Sequence, residues 1–302
     1  MVFIFETASD DNVITFKRGD CMKIGFIGAG KVATVIGKNL TTHGFILSGF
    51  YSKSLKSSKE SAEFTNSNSY DNVEDLIGSS DILFISTPDG EIKNVWNCIK
   101  QYDLRQKIVC HFSGALSSDI FSNIEDTGAT GCSFHPVYAF SDKFSSYKQF
   151  YNIFFVAQGN EHAVSVLKDI FTKCGHKILS MKGDKRKYHA AMVFSSNLCT
   201  GLIASAVDIL GECGFSSEES LEILRDLSIN NLKSVFDKGP NMALTGPIER
   251  NDIDTVMGHL QVLNGLNKDI YKTNNLRLTQ LAMSNHPDRD YTKTIELLKS
   301  DK

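Results

Sequence analysis

The sequence predicts an α/β fold, a doubly wound and mostly parallel sheet followed by an all-α C-terminal domain. Three observations carry this reading. Short apolar runs alternate with helical stretches from residue 22 to about 183, the pattern of a parallel sheet covered on both faces. Strand-like runs then stop, and long helical periods fill 184–302. The length of 302 residues has room for two domains at one per ~150 residues. The expected organisation is an N-terminal extension at 1–21, a sheet domain at 22–183 and a helical domain at 184–302.

The elements follow in order. In residues 1–21 the apolar run Val2–Phe5 is too short for a signal-peptide core, and Glu6, Asp10 and Asp11 follow it. Met22 directly precedes a strand-like run, so this segment reads either as a short extension or mis-called start, or as an extra edge strand. Lys23–Ile27 and Ile46–Tyr51 read as strands flanking a helix over Val32–His43. Glu60–Glu63 and Val73–Ile77 read as short helices. Asp81–Ser86 is a compact apolar strand, Glu91–Ile99 a helix, Lys107–Phe112 another strand and Ser117–Asn123 a short helix. Gly131–His135, Ile153–Gln158 and Ile178–Met181 complete the strands, with an amphipathic helix over Glu161–Cys174. Beyond them, Asp184–Leu210 has a long helical period without Pro. Ser216 and Glu219 have the spacing of a capping box and open a helix through Val235. Asn251 or Asp252 can cap a third helix to about Tyr271, and residues 288–300 suit a last one.

Composition narrows the function classes. Hydrophobic residues make 41% and charged residues 22%, which excludes a disordered or collagen-like chain. Lys plus Arg number 32 against 35 Asp plus Glu, a net charge of -3. That balance gives no electrostatic reason to expect a nucleic-acid or anionic membrane partner. No apolar run is expected to approach the ~18 residues of a membrane span. The seven Cys are odd in number and form no C-x-x-C pair. Reduced, mostly buried thiols in a cytoplasmic protein are therefore expected, with neither a disulfide framework nor a metal site.

The strongest chemical signal is Gly28-Ala29-Gly30-Lys31-Val32-Ala33, a G-x-G-x-x-A run between the first strand and first helix. The first Gly suits a tight turn, the second lets backbone approach a pyrophosphate, and the small third residue lets helix and strand pack closely. The helix start offers free N–H groups to the phosphates. This context predicts a dinucleotide site. The second strand ends in Tyr51-Ser52-Lys53-Ser54, where an NAD site would place an acid; none occurs before Glu60. Ser52, Lys53, Ser54 and Lys56 suit a 2′-phosphate instead, so NADP is the expected cofactor. Thr87 and Pro88 follow the strand at the sheet's ligand-binding edge, with Thr87 placed for the nicotinamide ribose and Asp89 as a helix cap.

Further polar residues gather at expected strand ends. His111, Ser113 and His135 should emerge on one rim, where a histidine can serve as acid, base or carbonyl polariser, or simply as scaffold. The long helix contributes Lys187, His189, Ser196, Asn197 and Thr200. These either meet substrate groups or bond between helices. His189 lies about 200° round from Lys187, so both reach one substrate atom only if the helix starts near His189. Thr245 and Arg250 sit in a turn-rich loop that reads first as a capped helix connection.

The runs GFIGAGKVA, YSKS, STPD, HFSGALSS, FHPVYAF, KYHAAMVFSSN and LTGPIERND, spread over roughly residues 22–280, resemble a family of two-domain Rossmann-type NADP oxidoreductases. That family carries a helical C-terminal domain of unknown function, and some members resemble an alternative class of ketopantoate reductase. The layout is similar, more distantly, to pyrroline-5-carboxylate reductase and to hydroxyacid dehydrogenases. The latter pair a Lys with an Asn four residues later, whereas four after Lys187 stands Ala191. The resemblance implies an NADP-dependent reductase of a small 2-keto acid, ketopantoate being the specific expectation and pantothenate biosynthesis its setting. Its expected acid is Lys187 or His189, its orienting donors Asn197 and Ser113, and His135 a carbonyl contact or a residue behind it. Gly28, Ala29, Gly30, Lys31, Val32, Ser52, Lys53, Ser54, Thr87 and Pro88 would hold the cofactor. A cyclic imine reductase and a non-catalytic NADP sensor are the alternatives. The helix over 187–212 is apolar around much of its circumference, and related folds cover such a helix by homodimerising.

Overall fold

A computed structural model describes residues 22–300, so the expectations for 1–21 lie outside the described residues. The described residues form two compact units that divide between Met192 and Val193.

The first unit begins with β1 (Lys23–Ile27), α1 (Lys31–Thr42), β2 (Ile46–Tyr51), α2 (Leu55–Thr65), β3 (Asn68–Tyr70) and α3 (Val73–Gly78). It continues with β4 (Ile82–Ile85), α4 (Asp89–Ile99), β5 (Ile108–His111), β6 (Thr130–Pro136), β7 (Phe154–Gly159), α5 (Glu161–Lys173) and β8 (Lys177–Ser180). The eight strands lie in the order β3-β2-β1-β4-β5-β6-β7-β8. Neighbours run parallel except β6 and β7, which pair antiparallel. The chain order reverses beside β1, whose neighbours are β2 and β4. The strands read as unbroken apolar runs because both sheet faces are buried. One face packs Phe26, Phe50, Phe84 and Phe134 with Ala33, Ile36 and Leu40 of α1 and Leu167 and Phe171 of α5. The other packs Leu83, Ile85 and Val109 with Leu76 of α3 and Ile92 and Trp96 of α4.

Two local readings change. The helix expected over Glu60–Glu63 runs from Leu55 to Thr65, because the Ser54 hydroxyl accepts from the Ser57 N–H and caps it. The short strand β3 carries no apolar run. It pairs at Gly49, whose φ is +144° and where any Cβ would meet the Asn68 carbonyl.

The helical region begins with α6 (Lys185–Ser195), followed by α7 (Asn197–Glu212), α8 (Ser217–Lys238), α9 (Pro240–Ala243), α10 (Pro247–Arg250), α11 (Ile253–Val262), α12 (Gly265–Asn285) and α13 (Thr292–Lys299). The expected long helix breaks at Ser196, with φ -130° and ψ -78°. The capping box of Ser216 and Glu219 is formed. Asp252 caps α11 through the Thr255 N–H. That helix stops at Val262 because Leu263 and Asn264 are extended, and α12 carries the chain on to Asn285. A small core unites Ile248, Val256, Leu260, Ala282, Tyr291 and Leu298. The stretch Lys185–Glu212 is long and apolar enough to cross a membrane by length and composition, which corrects the expectation that no such run exists. Polar Ser195, Ser196, Asn197 and Thr200 lie within it.

Candidate functional site

The first unit carries a pocket of about 570 Å3 at the carboxyl ends of β1, β2 and β4. This is where the strand order reverses, the place where open α/β sheets bind ligands. Its floor is the glycine turn. Gly28 has φ +107°, and a Cβ there would lie 2.8 Å from the Ser86 carbonyl oxygen. Gly30 differs: its φ is -81°, and a Cβ there would meet nothing within 4 Å. Conformation and packing therefore require a glycine at 28, whereas at 30 only something outside the chain would need the space. Gly30 caps α1 with no side-chain bond, and no acidic residue lies in the first turn. The helix start thus offers unsatisfied N–H groups and its positive dipole end to an anion. Ala33 is fully buried, the close packing expected of the motif's third residue.

Ser57 braces the turn by donating to the Ala29 carbonyl at 2.8 Å. Lys143, far away in sequence, donates to the Ser57 hydroxyl at 2.9 Å and lies 3.4 Å from Glu60. Ser52, Lys53 and Ser54 line the pocket beside the end of β2. Lys53 bridges to Glu91 at 3.1 Å yet remains highly exposed, so its cation can turn to another anion. Val73, Val95 and Ile99 form an apolar wall. Thr87 and Pro88 also line the pocket, and the Thr87 hydroxyl is buried without a hydrogen-bond partner. An unpaired buried hydroxyl costs stability and is ready for a ligand group. Lys31 and Val32 lie in the first turn of α1, Lys31 exposed and Val32 packed on the core.

Beyond Thr87 a polar cluster follows the ends of β4, β5 and β6. Asp89 is not a helix cap, because Pro88 occupies that position. Its carboxylate instead accepts the Ser113 hydroxyl at 2.6 Å. The Ser113 oxygen also accepts the N–H groups of Ala115 and Leu116. The Ser113 hydroxyl thus braces its own loop. His111 is held in the same loop. Its Nδ1 accepts the Ser113 N–H, leaving Nε2 to donate to the Ser117 carbonyl, and burial holds its pKa down at about 4.

His135 has another setting. Its Nδ1 lies 2.8 Å from the Tyr188 hydroxyl of α6. Burial first, then the charge of Lys185, lowers its pKa to about 4, so the ring is neutral near pH 7. Its Nε2 and the Nδ1 of His189 converge on Gly114, where a Cβ would lie 2.9 Å and 2.7 Å from them. His189 Nδ1 is buried without a partner.

The structure places the expected lysine differently. Lys187 is exposed, while Lys185 is buried and donates to the Ser113 carbonyl at 3.0 Å and the Ser133 hydroxyl at 2.6 Å. Burial lowers its pKa from 10.5 to about 8. The reason lies in the helix start. α6 begins at Lys185, not near His189, so Lys185, Tyr188 and His189 fall at i, i+3 and i+4 on one face and Lys187 points elsewhere. That spacing is in the sequence, but only knowledge of the helix start selects it over Lys187. Asn197 belongs to the second unit, where it is exposed and accepts the Ser196 hydroxyl.

The comparisons with known proteins agree with this architecture. Residues 8–136 match the model of a Rossmann-like domain, and residues 153–278 match that of a Domain of unknown function (DUF2520). The chain thus joins a Rossmann-like domain to a DUF2520 domain. The DUF2520 match begins before β7, so the last two strands of the first unit fall within it. No curated protein matches the chain. Among solved structures, a protein from Thermotoga maritima is 22% identical, covering 87% of this chain and 99% of its own, with a TM-score of 0.69. A Bacteroides fragilis protein named as an NADP oxidoreductase is 20% identical over 86% of this chain and 98% of its own, with a TM-score of 0.68. A pyrroline carboxylate reductase from Plasmodium falciparum, solved with NADP bound, is 18% identical over 87% and 97%, with a TM-score of 0.52.

Proposed function

We propose that this protein is an NADP-dependent oxidoreductase that reduces a small 2-keto acid, with ketopantoate as the specific substrate. The observation that carries the cofactor half is Gly30, an open cradle at the start of α1 in the pocket where the strand order reverses. Ser52, Lys53 and Ser54 supply hydroxyls and a cation for a 2′-phosphate, with no acid among them to favour a bare ribose. The pyrophosphate would rest on the N–H groups at Gly30 and the first turn of α1. Thr87 would meet the nicotinamide ribose. The likeness to the NADP-bound pyrroline carboxylate reductase supports the same cofactor. When bound, NADPH would supply the hydride.

The electrostatics around His135 favour a carbonyl over an iminium. The buried Lys185 ammonium lowers the His135 pKa more than the Asp89 carboxylate raises it. A net positive surrounding stabilises oxygen as it gains negative charge and opposes a cationic substrate. The likeness to pyrroline carboxylate reductase favours the second reading, reduction of a cyclic imine. Binding of NADPH and NADH by calorimetry tests the cofactor assignment. A panel of 2-keto acids and cyclic imines followed by NADPH absorbance tests the substrate. We further propose a homodimer through the helical domain, because α7 holds no buried residue and Phe194, Leu198 and Leu202 are exposed along that stretch. Sedimentation at twice the 33.5 kDa chain mass would support it, and a monomer would exclude it.

A further inference from the structure

From the 2.8 Å contact between the Tyr188 hydroxyl and His135 Nδ1, we propose that Tyr188 is a positioning residue that fixes the tautomer of His135, making its Nε2–H the proton donor to the substrate carbonyl oxygen. The proposal rests on the reductase reading above. It differs from the expectation that a lysine or His189 supplies the proton.

The direction of the bond decides the tautomer. A phenol O–H is the stronger donor of the two groups, and a neutral imidazole nitrogen is the stronger acceptor. Tyr188 therefore donates to Nδ1, and the ring proton resides on Nε2. The bond is protected, because both residues are partly buried and their rings meet edge to face at 83°. Burial and most of the charged groups around His135 hold its ring neutral. Lys185 and His189 oppose a positive charge on it, and only Asp89 favours one. Asp89 is itself occupied by the Ser113 hydroxyl. Nε2 lies against Gly114, as does His189 Nδ1, and the glycine lets both rings come this close, since a Cβ there would press on both nitrogens.

The proton balance closes with one proton taken from solvent per turnover. When bound, the dihydronicotinamide would supply hydride to the carbonyl carbon, and the C=O π pair would move to oxygen. That oxygen takes the Nε2 proton as Nδ1 takes the Tyr188 hydroxyl proton. The phenolate so formed is less basic than the alkoxide it replaces, and Lys185 Nζ lies 5.5 Å from its ring. A proton from solvent then reloads Nε2 as Nδ1 returns its proton to the Tyr188 oxygen, which restores the starting tautomer.

The test begins without cofactor. Long-range proton–nitrogen spectra of the nitrogen-15-labelled protein should show His135 as the Nε2–H tautomer at pH 7, and as a mixture or the other tautomer in Tyr188→Phe. In turnover, Tyr188→Phe should lower kcat about 10- to 1,000-fold and His135→Ala about 100- to 10,000-fold, the range of a general acid. KM for the substrate and NADPH affinity should stay near wild type in Tyr188→Phe. An Nδ1–H tautomer in the wild type would overturn the proposal, as would an unchanged tautomer or unchanged kcat in a folded Tyr188→Phe protein. Should Tyr188→Phe fail to fold, the wild-type tautomer alone decides. A wild-type protein that binds no NADPH would instead overturn the reductase reading, which the cofactor-free spectra do not depend on.

Discussion

Gly28 and Gly30 stand two residues apart in one turn, yet substitution should affect them in opposite ways. At Gly28 the φ of +107° strains any L-residue by about 1–3 kcal/mol. An added Cβ would also press on the Ser86 carbonyl at 2.8 Å, an overpacking cost of about 1–3 kcal/mol. Gly28→Ala should thus destabilise the protein by about 2–6 kcal/mol, a fall in Tm of roughly 4–24 °C for a domain of this size. At Gly30 the backbone is ordinary and the Cβ site is empty. Gly30→Val should leave Tm within a few degrees of wild type. It should place a branched side chain where the pyrophosphate must approach the α1 N–H groups. Losing one or two charge-assisted bonds at about 1.5–3 kcal/mol each weakens NADPH binding by at least about tenfold and up to about 10,000-fold. Differential scanning fluorimetry and calorimetric titration on the two variants read both axes. The reasoning fails if Gly30→Val keeps wild-type NADPH affinity, or if it unfolds at as low a temperature as Gly28→Ala.

Other perturbations probe the remaining parts of the site. Lys53→Ala should weaken NADPH by about tenfold and leave NADH nearly unchanged, since an exposed cation acts only on the extra phosphate; equal losses for both cofactors would refute the 2′-phosphate assignment. His111, His135 and His176 all have pKa values lowered from 6.5 to about 4, chiefly by burial. Between those values the unfolded chain binds more protons, so stability should fall as pH drops from 6.5 towards 4, and urea unfolding with a flat profile there would contradict this. The Lys185 pKa is likewise lowered, from 10.5 to about 8, so its contribution should rise as pH increases across that window, and Lys185→Met should remove the rise in urea midpoints.

Much of this protein was legible in one dimension, for a physical reason. The glycine turn, the Ser216 capping box and the apolar strand runs depend on residues within a few positions of one another, and such local chemistry is written in spacing. The dinucleotide pocket follows from them, because a glycine turn between a strand and a helix in a parallel sheet opens at its carboxyl edge. The polar cluster was only half legible. His111, Ser113 and His135 were recognisable as strand-end residues. The partners of Ser113 and His135 lie 24 and 53 positions away, Asp89 on Ser113 and Tyr188 on His135. Likewise, the choice of Lys185 over Lys187 turned on where α6 starts. A shift of two residues carries a side chain to the far side of a helix, and sequence periodicity fixes helix ends least well. Lys143 on Ser57 shows the same limit, since nothing local links residues that only the folded loop brings together. Short-range spacing thus determined the fold class and the cofactor turn. Tertiary packing decided which histidine, tyrosine and lysine meet, because burial and long-range hydrogen bonds exist only once the sheet has assembled.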